Sequence, residues 1–166
     1  HHAGLVIGLE GGVDYAHQGR SMLGAGYAGR ANLVQNVSAV CGLCLAVSRG
    51  ALVQAGGVAP DLDEGLGDVD LGLRLLQAGR RNVYTPYAQL RVTDPRLRRA
   101  PSEAVRAGRA DKVRALLRAC FGVDSWADPA YSVQLDQRRA SFLLGWPPRL
   151  PLAEDILRPV QGARPP

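Results

Sequence analysis

Apolar residues fall in short, separate runs along this chain. Leu5-Val6-Ile7-Gly8-Leu9 is bounded by glycines and predicts a strand over residues 5–9. Residues 10–36 hold Gly11, Gly12, Gly19, Gly24, Gly26 and Gly29 among polar groups. They predict a long irregular segment, either a lid or simply disordered chain. The strongest strand signal is Val-Ser-Ala-Val-Cys-Gly-Leu-Cys-Leu-Ala-Val over residues 37–47, apolar on both faces as a central strand is. Gly42 inside it predicts a bend or a close backbone approach. Ser48 then caps a brief helix over residues 49–55, stopped by Gly56-Gly57. Residues 58–66 read as a loop carrying Asp61, Asp63 and Glu64.

The stretch from 67 to 79 predicts a helix with its acids at the front. Gly67 or Asp68 is the expected cap, Asp68 and Asp70 occupy the first turn where the helix dipole favours them, and Gly79 supplies a left-handed end. Asp70, Arg74 and Gln77 recur at i, i+4 and i+7 and predict a solvated stripe on which Asp70 pairs with Arg74. Asp68 lies one residue off that stripe, at the mouth of the helix, where a carboxylate can face a cleft.

Residues 81–85 predict a strand broken by Pro86, with residues 88–93 extended beyond it. Strands alternating with helices predict an α/β layered fold. Ser102 can cap a helix over residues 103–121, with Gly122 as its stop; Gly108 in the middle leaves one helix or two open. Residues 124–146 read as loop pinned by Trp126, Tyr131, Phe142 and Trp146, and the proline-rich residues 147–166 as a tail. The resulting division is residues 1–95, a helical extension over 96–146, and the tail.

Net charge is +5, and Lys112 is the sole lysine among 20 basic residues. The densest cluster is Arg91, Arg96, Arg98, Arg99, Arg106 and Arg109, with few aromatics interleaved to stack bases. That pattern argues against nucleic acid and fits an anionic substrate or a membrane surface, so peripheral membrane association stays open. No apolar run is long enough to span a bilayer, and no basic-then-apolar leader pattern opens the chain. With three cysteines (Cys41, Cys44, Cys120), this predicts reduced thiols and a cytoplasmic setting. The Cys41–Cys44 pair lacks a second pair for zinc and reads as core cysteines. His2 and His17 read as surface or loop residues. Gly8, Gly11 and Gly12 are turn glycines without the Lys-Ser/Thr of a phosphate loop.

Taken in order, these segments resemble a known family. The run at 37–47, Gly56-Gly57, Asp68-Val69-Asp70-Leu71-x-Leu73-Arg74, Ala78-Gly79 and Tyr84-Thr85-Pro86-Tyr87-Ala88 resemble the second half of a glycosyltransferase family 2 domain. Upstream, His2-Ala3-Gly4-Leu5-Val6-Ile7-Gly8 is similar to the segment preceding this block, and Asp128-Pro129-Ala130-Tyr131-Ser132-Val133-Gln134-Leu135 to a closing motif. The resemblance runs from about residue 2 to residue 144, and its strength lies in the ordered set rather than in any one piece.

The resemblance implies the C-terminal, acceptor-binding half of a GT-A fold, a mixed sheet with flanking helices and a C-terminal helical and loop extension. It implies inverting sugar transfer from a nucleotide-sugar donor to a glycan or lipid-linked acceptor, at the inner face of the membrane. Asp68 takes the place of the general base, with Asp70, Arg74 and Gly42 as its support and acceptor-binding residues. The donor half would precede His1. A divalent metal, Mg or Mn, belongs to the full-length enzyme on this reading, and none is expected in this segment.

The chain departs from the family pattern at several positions. Gly67 stands where an acid is usual, and Val58-Ala59-Pro60 where Phe-Asp-Glu is usual. Val92 and Thr93 replace a metal-binding histidine, while Asp94 keeps the acid that follows. These departures motivate an alternative, a non-catalytic glycan-binding or scaffold module on a decayed half-domain. A third reading is an anionic-surface binder using residues 91–109. Self-association through the face of a half-domain is compatible with any of the three.

Overall fold

A computed structural model of the chain describes residues 2–10, 12–19, 21, 24–59, 66–90, 93, 103–124 and 126–147, with backbone alone for 103–107. Its elements in order are β1 (Leu5–Leu9), β2 (Gly12–Tyr15), β3 (Gln35–Val37), α1 (Arg49–Gln54), α2 (Gly67–Gln77), β4 (Asn82–Tyr84) and α3 (Glu103–Phe121), with 3-10 turns at Tyr27–Asn32 and Gly42–Cys44. The chain is thus a mixture of helices and short strands. Acidic loop residues Asp61, Asp63 and Glu64, the arginines Arg91, Arg96, Arg98 and Arg99, the Arg106 side chain, Val92, Asp94 and the tail from 148 lie outside the described residues.

β1 and β2 form an antiparallel hairpin, so the expected loop from residue 10 begins with a strand. The pairing runs Leu5–Tyr15, Val6–Asp14 and Ile7–Val13, then slips at Gly8 so that Leu9 faces Gly12. Gly8 has φ of 88°, and a Cβ there would sit 2.0 Å from the Trp126 carbonyl oxygen, so only glycine fits. The bulge also changes which way the strand points. Leu5 and Ile7 join one core cluster, while Val6 and Leu9 join the other. β1 is therefore buried on both faces, which explains its unbroken apolar run.

β3 and β4 form a second antiparallel ribbon, Gln35–Tyr84 to Val37–Asn82. One antiparallel bridge, Leu5–Ala39, links the two ribbons. The strand pairs of the described residues are all antiparallel. On one face α2 and α3 pack through Leu66, Val69, Leu73, Val113 and Leu117 against Leu5, Ile7 and Ala39. On the other, Tyr131, Leu135, Ala140 and Phe142 from the C-terminal segment cover Val6, Leu9 and Ala16.

α2 lies very close to the strand beneath it. A Cβ at Gly72 would meet the Ala39 Cβ at 2.7 Å. Buried Asn82 fastens this approach by donating its side-chain N–H groups to the Ser38 and Gly72 carbonyls, both at 2.9 Å. Both α1 and α2 end as their glycines predict. Gly56 and Gly79 take left-handed φ (81° and 71°), and the amides beyond the helices bond back, Gly57 to Leu52 and Arg80 to Leu75, each at 2.9 Å. α3 runs unbroken through Gly108.

Three sequence expectations are corrected here. The run at 37–47 is no central strand. Ladder pairing stops at Val37 and the Ala39 bridge, and Leu43 and Leu45 are 49% and 37% exposed. The chain leaves the sheet because the Gly42 amide bonds to a helix instead of a neighbouring strand. His17 is buried, not superficial, its ring stacked on Phe142 at 4.2 Å. Trp146 is exposed and pins nothing, whereas Trp126 packs on the α3 side of the core beside Phe121.

Candidate functional site

α2 places Asp68 in its first turn, but the cap position is taken by Leu66, which offers no side-chain acceptor. Asp68 therefore serves a different set of donors. Its Oδ1 accepts the Val69 amide at 2.9 Å, and its Oδ2 accepts the Gly42 amide at 2.9 Å from 26 residues away. A Cβ at Gly42 would meet the Asp68 Cβ at 3.4 Å, an ordinary contact, so this position does not demand glycine. The Asp68 side of this contact is half-buried and the Gly42 side exposed, so the carboxylate sits at the surface of the domain, not in its apolar interior.

Asp70 is oriented differently. It is buried to 7% exposure, so the expected solvated stripe of Asp70, Arg74 and Gln77 is not one; of the three, only Gln77 is fully exposed. The reason is Arg74, which folds back over Asp70. Its Nε donates to Asp70 Oδ2 at 2.9 Å, its Nη2 bonds the same oxygen, and its Nη1 reaches the Ala55 carbonyl at the end of α1. Asp70 and Arg74 thus brace α1 against α2. The two acids of Asp68-Val69-Asp70 are committed to separate partners, one to backbone amides and one to a guanidinium. Among the described residues no three His, Cys, Asp or Glu side chains come together as a metal site would require.

Tyr15 of β2 and Cys41 lie within electrostatic range of Asp68. Burial, the Cys41 thiol and the Asp68 carboxylate push the Tyr15 phenol up to about 12, against the opposing pull of Arg109. Burial raises the Cys41 thiol as well, with Asp68 adding to the effect. Cys41 is a buried cysteine as expected, but Cys44 is exposed and Cys120 lies between. Tyr15, in a stretch that reads as irregular loop, has no sequence signal linking it to Asp68; the hairpin brings it there.

A small cavity lies elsewhere, lined by Val6, His17, Arg30, Gln35, Ala130 and Phe142, and shares no residue with the Asp68 turn. Arg30 donates to the Ala130 carbonyl at 3.2 Å and lies over the Phe142 ring. The expected groove at Asp68 is not formed by the described residues; residues 60–65, which lead into α2, lie outside them.

The closing motif is structural. Asp128 is buried and accepts the Ile7 and Ala130 amides, both at 2.8 Å, while the Tyr131 hydroxyl accepts the Phe142 amide at 3.3 Å. No helix of the described residues is long and apolar enough to cross a membrane.

No protein-family model and no solved structure matches the chain. Over 147 residues, 88% of its length, it is 33% identical to the uncharacterized protein y4gI of Sinorhizobium fredii. The chain spans 16% of the length of that relative.

Proposed function

We propose that this chain is the acceptor-binding half of a GT-A glycosyltransferase resembling family 2, with Asp68 as the general base. The observation that carries the reading is the meeting of Asp68 with Gly42, two residues from separate segments of the ordered motif set, through a 2.9 Å hydrogen bond at the domain surface. An acceptor hydroxyl is a poor nucleophile until its proton is taken as its oxygen bonds the anomeric carbon and the diphosphate leaves. A carboxylate fixed at a helix start, on a helix pressed against a strand and braced through Arg74, meets the positional demand of that step. The nucleotide-sugar donor, and a Mg or Mn ion if one is used, would be held mainly by parts of a longer protein. The acceptor would be a glycan or lipid-linked glycan, in the cytoplasm at the inner membrane face.

Calorimetry separates this reading from its rivals. A longer protein containing this segment binds a nucleotide sugar and releases nucleoside diphosphate in the presence of acceptor, while residues 1–166 alone do not bind the donor. Tight donor binding by the 166-residue chain contradicts the half-domain assignment.

One observation favours the non-catalytic alternative: both Asp68 oxygens already accept backbone amides, as in a purely structural helix start. Donor turnover by the longer protein counts against it.

A further inference from the structure

Cys41 and Cys44 are the two ends of one tight turn. Cys41 stands just before the 3-10 turn Gly42–Cys44 in an extended conformation (φ −63°, ψ 130°), and its carbonyl accepts the Cys44 amide at 3.2 Å. A four-residue turn closed in this way holds its first and last Cα atoms within about 7 Å, the span below which a disulfide can form without backbone movement. Both thiols are free, and they lie within electrostatic range of one another. They are not equivalent. Cys44 is exposed, whereas Cys41 is buried to 5% exposure. Burial also raises the Cys41 thiol, which makes it the poorer nucleophile toward a reagent arriving from solution. Cys120 of α3, the third free cysteine, has no second cysteine in its own turn.

We propose that Cys41-Gly42-Leu43-Cys44 is a thiol–disulfide exchange site whose reaction partner is a small disulfide of the glutathione class. The exposed Cys44 thiolate attacks one sulfur of the incoming disulfide, forms a mixed disulfide and expels one small thiolate, which takes up a proton. Cys41, at the other end of the turn, then gives up its proton and attacks the Cys44 sulfur. The Cys41–Cys44 bond forms and the second small thiolate leaves with that proton. Two protein thiols have lost two hydrogens, and the small disulfide has become two thiols. The turn drives the second step by making it intramolecular, which offsets the low thiolate fraction of Cys41. Excess small thiol reverses both steps, so the pair rests reduced in a reducing compartment and closes when disulfide accumulates. The closed bond flanks Gly42, whose amide holds Asp68 Oδ2. The exchange chemistry does not rest on the reading of Asp68 as base.

The test treats the whole folded chain with glutathione disulfide, then unfolds it in excess N-ethylmaleimide and maps each cysteine by peptide mass. In the wild type, Cys41 and Cys44 are expected to carry neither glutathione nor maleimide, and the peptide containing both is lighter by two hydrogens than its reduced form. Dithiothreitol restores the reduced mass. Cys120, without a resolving partner, keeps glutathione or takes maleimide. Cys41→Ser removes the resolving thiol and is expected to leave glutathione on Cys44, with complete loss of the bridged peptide. Three results overturn the proposal: wild type that retains glutathione on Cys44 as the variant does, wild type in which Cys41 and Cys44 both take maleimide, and a bridge that joins either of them to Cys120. Should Cys41→Ser not fold, the wild-type peptide mass decides by the same outcomes. No step of the test involves sugar transfer, so its failure removes the exchange site and leaves the assignment of Asp68 to its own experiment.

Discussion

Asp128 accepts the Ile7 amide at 2.8 Å across 121 residues of sequence, so the C-terminal segment is fastened to the middle of β1 by a single buried carboxylate. Its second oxygen accepts the Ala130 amide, which shapes the turn into Tyr131. Burial pushes this carboxyl above its ordinary value of 3.8, with the Ile7 and Ala130 amides pulling the other way. A folded pKa above the unfolded one means that the folded chain holds the proton more tightly. The associated stabilisation is present below the unfolded value and is lost as pH rises through the folded value. Asp128→Asn removes this dependence and leaves one backbone amide without its acceptor, at a cost of about 1–3 kcal/mol. Urea unfolding at several pH values between about 7 and 4 is expected to show wild type gaining on the variant as pH falls. A gap that narrows on acidification contradicts the raised carboxyl.

Gly72 and Gly108 predict opposite signs for the same substitution. Both lie inside helices, where alanine is favoured over glycine by about 1 kcal/mol. A Cβ at Gly108 meets nothing within 4 Å, so Gly108→Ala is expected to stabilise by about 0.5–1 kcal/mol. At Gly72 the new methyl would meet Ala39 Cβ at 2.7 Å and Ala39 Cα at 3.0 Å. Gly72→Ala is therefore expected to destabilise by about 1–3 kcal/mol, as overpacking does. Denaturation midpoints moving in the same direction for both variants would refute the close packing of α2 on Ala39.

Arg74 joins Asp70 to the end of α1, and its removal leaves a carboxylate with 10% side-chain exposure and no cationic partner among the contacts of that turn. Arg74→Ala is expected to cost about 2–4 kcal/mol, and Arg74→Lys less, since a lysine keeps the charge but cannot span both acceptors. Asp70→Asn in the Arg74→Ala background recovers part of the loss by neutralising the stranded acid. Additive effects of the two substitutions would show that the pair is not coupled.

The parts of this fold that local chemistry decides were legible in the residues. Ser48 accepts the Ala51 amide at 3.2 Å as the cap of α1, and Gly79 ends α2 in the expected conformation. The Asp70–Arg74 pair follows from spacing alone. What was not legible depends on contacts between distant segments. An apolar run such as residues 37–47 records that its side chains favour cover, not what covers them, and Leu43 and Leu45 are exposed. His17 is polar by type but lies flat on Phe142, 125 positions away, and nothing near it in sequence marks that stacking. The β1–β2 hairpin was hidden because Gly8 and Gly12 break the alternation that would reveal it. At the site, the residue type and helix position of Asp68 were readable, while its partner Gly42, 26 positions away, came to it only through the tertiary fold.

The account is tested most directly by the steady-state rate of sugar transfer of Asp68→Asn in the longer protein, with folding checked by its melting temperature. Loss of the proton acceptor is expected to lower kcat by about 10²–10⁴-fold with KM near wild type, while the melting temperature falls by no more than the loss of one half-buried hydrogen bond, about 1 kcal/mol, implies. A variant that turns over at the wild-type rate would contradict the assignment of Asp68 as base.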